Sequence, residues 1–453
     1  MLNNYSPKIR NVLKKGKIKV GDRISVTKGK KTYEGLLMPR AEIGDLNSIV
    51  IKLDNGYNIG IRFEKGTKVN KSKKREPRKI KDEMKFEMGK EKFKKLKFDP
   101  KKPKVALIMT GGTIASRVDY KTGGVRALEK PEELVANVPE LKDIIYIKDV
   151  STPFRKMSED LGPKDWQKLA KVVARELNKN RGVIIAHGTD TMHYTAAALS
   201  FMLKNVSKPV VLVGSQRSSD RGSSDSSMNL ICAAHVAISD IGEVGICMHG
   251  STDDHYCYFT RGVSARKLHS TRRDAFKSVN EPPLAKVFPS GKISIINKNH
   301  KKRGDKKVIA DVKFEPKVAL LKVYPGSDPE IMEFLLKKGY KGFVIEGTGM
   351  GHVPTSAEKS WIPTIKKLTK KGIPVVITTQ TIYGRVNPDV YTNLRILFHE
   401  AGAIPAEDML SEVAYIKLGW LLAHYKNIND VRKMMLTNMV GEIRDRSTID
   451  SFF

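Results

Sequence analysis

The chain has 453 residues, an ordinary hydrophobic content of 40% and a formal net charge of +33 at pH 7. A chain of this length is expected to form more than one domain, and none of its apolar runs approaches the roughly 20 residues that span a bilayer. The sequence begins with MLNNYSPKIR, which lacks the apolar region of a secretory signal, so we predict a cytoplasmic protein that does not enter a membrane.

The basic excess is the unusual feature of the composition. There are 82 Lys and Arg residues against 49 Asp and Glu residues. Such an excess favours a polyanionic partner, most simply nucleic acid. General surface charge, as in a thermophile or in an organism with high internal salt, is the alternative. Because the charge is also locally clustered, we expect contact with RNA somewhere in the assembly.

The first 70 residues are predicted to form a small β-barrel domain. Apolar and polar residues alternate over several short stretches, and Asp54-Asn55-Gly56 is a strong hairpin signal because Asn-Gly tolerates positive φ. The predicted strands are 19–27, 33–38, 48–53 and 57–63.

A basic linker is predicted over residues 71–103. It opens with KSKKREPRKIK, which has almost no apolar content and cannot bury a core. A purely solvated linker and an arm that contacts phosphates are both consistent with this run.

From residue 104 the pattern changes to buried strands that alternate with helical periodicity. This alternation predicts a parallel, doubly wound α/β fold, with one domain over 104–296, a linker over 297–314 that begins NKNHKKRGD, and a smaller α/β domain over 315–453. The predicted strands are 105–109, 182–186, 209–214, 242–248, 317–324, 342–345 and 374–378, and the predicted helices are 163–178, 194–203, 328–338, 356–371 and 408–424.

Two motifs follow predicted buried strands. TGGTIAS (Thr110 to Ser116) follows the strand 105–109, and HGTDT (His187 to Thr191) follows the strand 182–186. Because reactive groups gather at the carboxyl ends of strands in an open parallel sheet, Thr113 and Thr189 are expected to share one edge.

These residue types suit amide hydrolysis through a threonine nucleophile. A threonine hydroxyl attacks only when a base takes its proton, and Lys267 in SARKLHST is a candidate for that base. Asp190 can hold a substrate ammonium group or orient the lysine. The backbone N–H groups of a glycine turn can approach a developing oxyanion, and the candidate glycines are Gly111, Gly112 and Gly188.

The two motifs, in this order and followed by ARK, resemble the signatures of the bacterial-type L-asparaginase/glutaminase family over roughly residues 104–440. The resemblance implies that Thr113 is the acylated nucleophile, with Thr189, Asp190 and Lys267 as the accompanying catalytic group. It also implies that Ser158, in MSEDLGPKDW, binds the substrate α-carboxylate and that Glu159 lies in the same binding loop.

Two positions depart from the family pattern. Tyr120 is displaced from the spacing of the family's lid tyrosine, and Val125 falls near that place. GTGMGH (Gly347 to His352) resembles a loop that a neighbouring subunit contributes, but His352 replaces an asparagine. The resemblance implies a homodimer through the two α/β domains.

Other polar residues receive structural interpretations. Ser215 follows a predicted strand but lacks a G-x-S-x-G elbow, so we expect it in a loop that lines the site. His187 is expected to be structural. The three cysteines, Cys232, Cys247 and Cys257, lack CxxC spacing and are predicted to be reduced and mostly buried. Together with the unsuitable spacing of His249 and His255, this predicts that the chain has no metal site.

The β domain and basic linker before TGGTIAS distinguish the chain from simple asparaginases. In this arrangement it resembles the D-subunit family of archaeal glutamyl-tRNA(Gln) amidotransferases. The resemblance implies hydrolysis of asparagine or glutamine to supply ammonia. It further implies a separate E subunit that binds Glu-tRNA(Gln) and uses ATP and magnesium, with no cofactor on this chain. A free-standing asparaginase and a non-catalytic RNA-binding scaffold are the alternatives.

Overall fold

The computed structural model describes residues 2, 5–39, 45–53, 58–72, 98–112, 114, 116–118, 125–127, 138–148, 150–218 and 223–452. The chain forms two compact units. The first draws on Met1–Leu96, Thr113–Pro139 and Gln216–Ser227, and the second on Lys97–Gly112, Glu140–Ser215 and Met228–Phe453, as far as these ranges are described.

The first unit contains the predicted domain of β strands. Its five strands pair antiparallel in the order β4-β3-β2-β1-β5. Ile24, Ile49 and Ile51 are fully buried on one face of this sheet. The strands are β1 (Arg23–Lys28), β2 (Lys31–Leu37), β3 (Ser48–Lys52), β4 (Asn58–Arg62) and β5 (Lys68–Lys71).

An amino-terminal helix, α1 (Pro7–Lys15), was not predicted. Ile9 and Leu13, one helical turn apart, are fully buried in the core of the β domain. The helix is amphipathic but short, so its apolar stripe consists of few residues and gives little signal in a basic stretch. The antiparallel pairing of β3 with β4 agrees with the predicted hairpin, whose Asp54–Gly56 turn lies outside the described residues.

The first α/β domain is built on an eight-stranded sheet in the order β18-β17-β14-β13-β12-β10-β6-β9. Five neighbouring strands are parallel, as predicted: β6 (Val105–Met109), β9 (Val150–Ser151), β10 (Gly182–Ala186), β12 (Val210–Val213) and β13 (Val244–His249). Every residue of β6, β10, β12 and β13 is buried. Burial on both faces explains their continuous apolar sequences.

Three further strands extend this sheet antiparallel, so the sheet is mixed at one end, whereas the sequence predicts a wholly parallel one. They are β14 (Cys257–Arg261), β17 (Ala285–Val287) and β18 (Ile293–Ile295). Two of the three have only three residues, and runs of that length carry little periodic signal. Three short pairings complete the strands of this part of the chain: β7 (Ser116–Val118) with β8 (Val125–Ala127), β11 (Leu203–Lys204) with β19 (Ile309–Ala310), and β15 (Ala265–Lys267) with β16 (Phe276–Ser278).

Helices pack against this sheet and provide the second half of each βα unit. They are α2 (Leu141–Ile144), α3 (Pro163–Leu177), α4 (Met192–Met202) and α5 (Ser226–Ala237). Helix α3 buries Trp166, Leu169 and Val173 at helical spacing, as predicted. Helix α4 is almost entirely buried, because it also packs against the second α/β domain.

The second α/β domain has a four-stranded parallel sheet in the order β20-β21-β22-β23. The strands are β20 (Val318–Lys322), β21 (Gly342–Gly347), β22 (Val375–Thr379) and β23 (Ile404–Pro405), and the helices are α6 (Glu330–Lys337), α7 (Ile362–Lys370), α8 (Thr392–Arg395), α9 (Ser411–Leu422) and α10 (Ile428–Met435). A π-helical turn at Ile396–Glu400 follows α8. One apolar core runs from the first sheet through α4 and α9 to the second sheet.

The predicted fold of two α/β domains, preceded by a domain of β strands, is confirmed. The bounds of the strands at 105–109 and 182–186 match the prediction, and the other predicted elements are present with ends that differ by at most six residues. The limits of the two linkers stay predictions, and most of the basic run after residue 72 lies outside the described residues. Among the helices that the structure describes, none is long and apolar enough to cross a membrane.

Candidate active site

A lysine from a distant part of the chain meets an adjacent threonine and aspartate beside the carboxyl end of β10. The Nζ atom of Lys267 lies 2.9 Å from Oγ1 of Thr189 and 2.6 Å from Oδ1 of Asp190. Thr189 is 6% exposed, and the Lys267 side chain is 10% exposed. The Asp190 side chain is 65% exposed, so its carboxylate can also reach a ligand in solvent. The Lys267 amine donates hydrogen bonds to both partners, and the buried contact with Thr189 can pass a proton.

The local sequence explains why Thr189 and Asp190 lie here. Strand β10 ends at Ala186, helix α4 begins at Met192, and the loop between them places both side chains at the carboxyl edge of the parallel sheet. Lys267 arrives from the short hairpin of β15 and β16. The structure therefore brings together three of the four residues predicted to be catalytic.

The predicted nucleophile Thr113 lies outside the described residues, and so does Tyr120. The chain just before Thr113 is hydrogen-bonded to the end of β10. The backbone N–H of Thr110 donates to the Ala186 carbonyl at 3.0 Å, and the Thr110 hydroxyl donates to the same oxygen at 3.1 Å. These bonds place the end of β6 beside the start of the HGTDT loop.

Glycine is required where the two motifs meet. Gly111 has φ +118° and Gly112 has φ +83°, a region that residues with a side chain rarely adopt. A Cβ atom on Gly112 would lie 2.2 Å from Cα of Gly188, and one on Gly111 would lie 2.2 Å from the Lys156 carbonyl oxygen. Neither position has room for a larger residue.

Ser158 lies against Gly188. A Cβ atom on Gly188 would be 2.8 Å from Cβ and 2.9 Å from Oγ of Ser158, which is itself buried. The Thr191 hydroxyl donates to the Ser158 carbonyl at 2.6 Å and joins this turn to the HGTDT loop. Glu159 belongs to the same 3-10 turn, Ser158–Asp160, and is exposed. Three of the predicted substrate-binding residues, Gly112, Gly188 and Ser158, are therefore neighbours.

His187 is fully buried within the second motif. Its Nδ1 atom lies 2.6 Å from the Gly188 carbonyl oxygen, and since a carbonyl only accepts, Nδ1 carries the proton. Burial lowers the pKa of His187 to about 4, with a smaller contribution from the nearby His193. The ring is neutral at physiological pH and fixes the Gly188 peptide, which is a structural role.

A buried carboxylate that contacts Arg266, the residue before Lys267, was missed by sequence reasoning. Glu412, in the first turn of α9, is 2% exposed. It accepts from Arg266 Nη1 at 2.5 Å through Oε2, and its Oε1 lies 3.3 Å from Nε2 of His193. Burial alone raises the pKa of Glu412, but the hydrogen bond with His193 and the charges of His193 and Arg266 outweigh it, and the pKa lies below its ordinary value. No local sequence signal joins position 412 to position 266.

Two of the residues weighed as possible metal ligands, His249 and Cys257, have hydrogen-bond partners. His249 is fully buried, with Nδ1 2.5 Å from Asn229 Oδ1 and Nε2 3.0 Å from Asp254 Oδ1. The three cysteines are buried free thiols, as predicted, and burial raises the pKa of Cys247 and Cys257. Within the described part of the chain, no group of three or more His, Cys, Asp or Glu side chains is arranged to hold a metal ion. Ser215 is buried just after β12.

The GTGMGH loop forms a tight turn after β21. Thr348 pairs with His352, while Gly349 and Gly351 have φ values of +52° and +103°. The His352 ring lies 5.1 Å from the Tyr391 ring in an edge contact. Large apolar side chains are exposed around this loop: Met350, Val390 and Tyr391.

Comparison with known families matches three parts of the chain. Residues 104–301 match the N-terminal domain of asparaginases, and residues 317–435 match the C-terminal domain of glutaminases and asparaginases. Residues 18–71 match the GatD N-terminal domain. The matched segments coincide with the two α/β domains and with the five-stranded β domain.

Solved structures of similar fold include asparaginases. The thermostable L-asparaginase from Thermococcus kodakarensis has a TM-score of 0.67 and 30% sequence identity, and the match covers 76% of this chain and all of that one. L-asparaginase I from Vibrio cholerae has a TM-score of 0.65 and 27% identity over 76% of this chain and 99% of that one. These matches establish the asparaginase-like fold.

Curated relatives match nearly the whole chain. The D subunit of the glutamyl-tRNA(Gln) amidotransferase of Pyrococcus abyssi is 49% identical, over 98% of this chain and 99% of the relative. The corresponding D subunit of Methanopyrus kandleri is 44% identical, over all of this chain and 97% of the relative. Together with the GatD N-terminal domain and the asparaginase domains, these matches show that the chain belongs to the family of D subunits of glutamyl-tRNA(Gln) amidotransferase, an asparaginase-like enzyme family.

Proposed function

We propose that this chain hydrolyses the side-chain amide of asparagine or glutamine and supplies the ammonia that converts Glu-tRNA(Gln) to Gln-tRNA(Gln). The observation that carries the proposal is the contact of Lys267 with Thr189 and Asp190 at the carboxyl edge of the first sheet, in a chain that matches an amidotransferase D subunit over 98% of its length. ATP, magnesium and the tRNA belong to a partner E subunit in this proposal, and the chain itself needs no cofactor. Its place of action is the cytoplasm, where aminoacyl-tRNAs are made and used.

The proposed reaction starts with attack of the Thr113 hydroxyl oxygen on the amide carbon of the donor. The neutral amine of Lys267 accepts the hydroxyl proton through Thr189, and backbone N–H groups around Gly112 and Gly188 stabilise the oxyanion. The intermediate collapses as its nitrogen receives that proton from Lys267 through Thr189 and leaves as ammonia. Water then hydrolyses the acyl ester, which releases aspartate or glutamate and restores the Thr113 hydroxyl.

Substrate binding uses the groups around this centre. Ser158 is proposed to bind the α-carboxylate of the donor, and its turn also carries Glu159. The exposed carboxylate of Asp190 is proposed to hold the substrate ammonium group while it contacts Lys267. Since asparagine and glutamine differ by one methylene, a difference of about 1–3 kcal/mol in binding is expected at most.

A homodimer is also part of the proposal. The exposed Met350, Val390 and Tyr391 surround the GTGMGH loop, and an exposed apolar patch of this kind suits a self-complementary two-fold contact. We expect sedimentation of the isolated chain to give a dimer. Replacement of Tyr391 and Val390 by serine should yield monomers with reduced amide hydrolysis, whereas a fully active monomer would contradict the dimer.

The central experiment measures ammonia release from asparagine and from glutamine by the chain alone and with E subunit, ATP, magnesium and Glu-tRNA(Gln). We expect basal hydrolysis by the chain alone and a clear stimulation by the complete set. Hydrolysis that the partner and tRNA leave unchanged would favour a free-standing asparaginase. The absence of hydrolysis in every mixture, with tRNA binding retained, would favour a non-catalytic RNA-binding scaffold.

A further inference from the structure

A buried carboxylate of the second α/β domain contacts Arg266, the residue that precedes Lys267 in the first domain. Helix α9 starts at Ser411, whose hydroxyl lies 2.9 Å from that of Thr378 at the end of β22. Thr378 is fully buried, so this contact fixes the start of the helix against the second sheet. Glu412 is the next residue, and it projects onto Arg266 of β15 and His193 of α4.

Both partners of Glu412 are next to the catalytic cluster in sequence. Arg266 immediately precedes Lys267 on a strand of only three residues. His193 is in the first turn of α4, which directly follows the loop that carries Thr189 and Asp190. One carboxylate thus contacts both of the elements that bring Lys267 and Thr189 within 2.9 Å of each other.

The carboxylate is chemically suited to this task. A buried anion needs partners, and Glu412 has the Arg266 guanidinium, the His193 ring and the amino-terminal end of its own helix. The Arg266 guanidinium in turn has no other carboxylate partner within the described residues, and its side chain is 28% exposed. Without Glu412, this cation would lose its carboxylate partner and would be free to change position together with β15.

We propose that Glu412 is a positioning residue for amide hydrolysis, which fixes β15 against α4 and holds the Arg266 side chain beside Lys267 in place. The inference rests on the proposed function, because it assigns Lys267, Thr189 and Asp190 to the reaction. It makes the two α/β domains of one chain a single catalytic framework, in which the second domain sets the geometry of the first.

The test compares Glu412→Gln, Arg266→Met and the double variant in the full chain, with kcat and KM for asparagine measured for each. Glu412→Gln should lower kcat about 10- to 100-fold, since small displacements of catalytic groups are costly. KM should stay within about threefold, because Ser158 and Gly188 are untouched. Arg266→Met loses the anchor without releasing a cation, so its loss of kcat should be smaller, and the double variant should return to the level of Arg266→Met.

Glu442→Gln is the matched control. Glu442 is a fully buried carboxylate that lies 2.6 Å from Lys417, and Lys417 belongs to α9, the helix that also carries Glu412. Among the described residues, the Glu442 side chain has no hydrogen bond or ion pair with β15 or α4. This variant should lower the melting temperature and leave kcat within about twofold of the parent. An equal loss of kcat in Glu442→Gln and Glu412→Gln would mean that any disturbance of α9 lowers kcat, and it would overturn the proposal.

Two further outcomes decide the matter. A folded Glu412→Gln variant with kcat within twofold of the parent, or a double variant no better than Glu412→Gln, would overturn the proposal. If Glu412→Gln does not fold, Arg266→Met decides instead: a loss of kcat at constant KM supports the proposal, and an unchanged kcat overturns it.

Amide hydrogen exchange in Ala265–Lys267 provides a readout that does not need turnover. Exchange there should be about tenfold faster in Glu412→Gln than in the parent and unchanged in Glu442→Gln. A failure of the proposed function would appear as no amide hydrolysis by the parent while this difference in exchange persists. Equal exchange in all three proteins would contradict the positioning role itself.

Discussion

Gly112 and Gly188 approach so closely that a Cβ atom on Gly112 would lie 2.2 Å from Cα of Gly188. The two glycines come from TGGTIAS and HGTDT, which are more than seventy residues apart in the sequence. Their backbone contact joins the ends of β6 and β10, and Ser158 lies against the other side of Gly188. The candidate site is therefore assembled around a point where no side chain fits.

Gly188→Ala is expected to impair donor binding more than folding. The added methyl group would lie 2.8 Å from Cβ and 2.9 Å from Oγ of Ser158, so the serine turn has to move. Since Ser158 is proposed to bind the α-carboxylate, KM for asparagine should rise about tenfold or more. Gly60→Ala is the control, because its Cβ atom would meet Ser48 Cβ at an ordinary 3.8 Å. Unchanged KM in Gly188→Ala would argue against Ser158 as the carboxylate ligand.

Lys267→Met should abolish turnover and leave the fold largely intact. The substitution keeps most of the aliphatic chain but removes the amine that contacts Thr189 and Asp190, so a loss of about 10³-fold in kcat is expected. Lys277→Met, on the facing strand β16, should retain activity. Steady-state kinetics and a melting curve for both variants check this, and a Lys267→Met enzyme with near-normal kcat would exclude the proton relay.

Thr113→Val tests the nucleophile. Valine has nearly the shape of threonine without the hydroxyl group, so an acyl-enzyme cannot form and amide hydrolysis should fall by several orders of magnitude. In the complex with the E subunit, formation of Gln-tRNA(Gln) from free ammonium should survive. Loss of both reactions would point to a folding or assembly defect, and retention of amide hydrolysis would mean that another group is the nucleophile.

His187 makes stability depend on pH. Its pKa falls from the ordinary 6.5 to about 4 in the folded chain because burial disfavours the charged ring, so the unfolded chain binds the extra proton first as the pH drops. The contribution of the neutral ring is complete above pH 6.5 and is lost as the pH falls toward 4, by about 3 kcal/mol in total. Urea midpoints measured across this window should decline more steeply for the parent than for His187→Asn, whose amide cannot titrate. An equally steep decline of the urea midpoint in the two proteins would contradict the lowered pKa of His187.

The amino-terminal region is expected to serve assembly and not basal catalysis. Deletion of residues 1 to about 95 should leave most asparagine hydrolysis intact, since Thr113, Thr189 and Lys267 follow it in the chain, but should abolish stimulation by Glu-tRNA(Gln). Charge reversal within Lys71–Lys81 separates an RNA-contacting arm from a plain linker. A contact arm predicts weaker tRNA-dependent activity and a shallower salt dependence. If neither measurement changes, only the linker interpretation remains for this run.

Much of the fold could be predicted from the sequence because its central strands are buried on both faces. Such strands are continuous apolar runs, so β6 and β10 are predicted with their observed bounds, and the motifs that follow them fall at the carboxyl edge of the sheet. The antiparallel strands β14, β17 and β18 and the helix α1 were missed. Their apolar residues are too few for a clear period, and they form only because larger elements offer a surface to pair with or to pack against.

The sequence by itself determined which residues form the candidate site. Glycines, hydroxyl groups and a lysine at strand ends are enough to indicate threonine-dependent amide chemistry. Only the tertiary structure decided that Lys267 contacts both Thr189 and Asp190, and that Glu412 of the second domain holds the neighbouring Arg266. The physical reason is separation along the chain. Contacts between residues 78 and 146 positions apart depend on how sheets and helices pack, and no local pattern of residues encodes that packing.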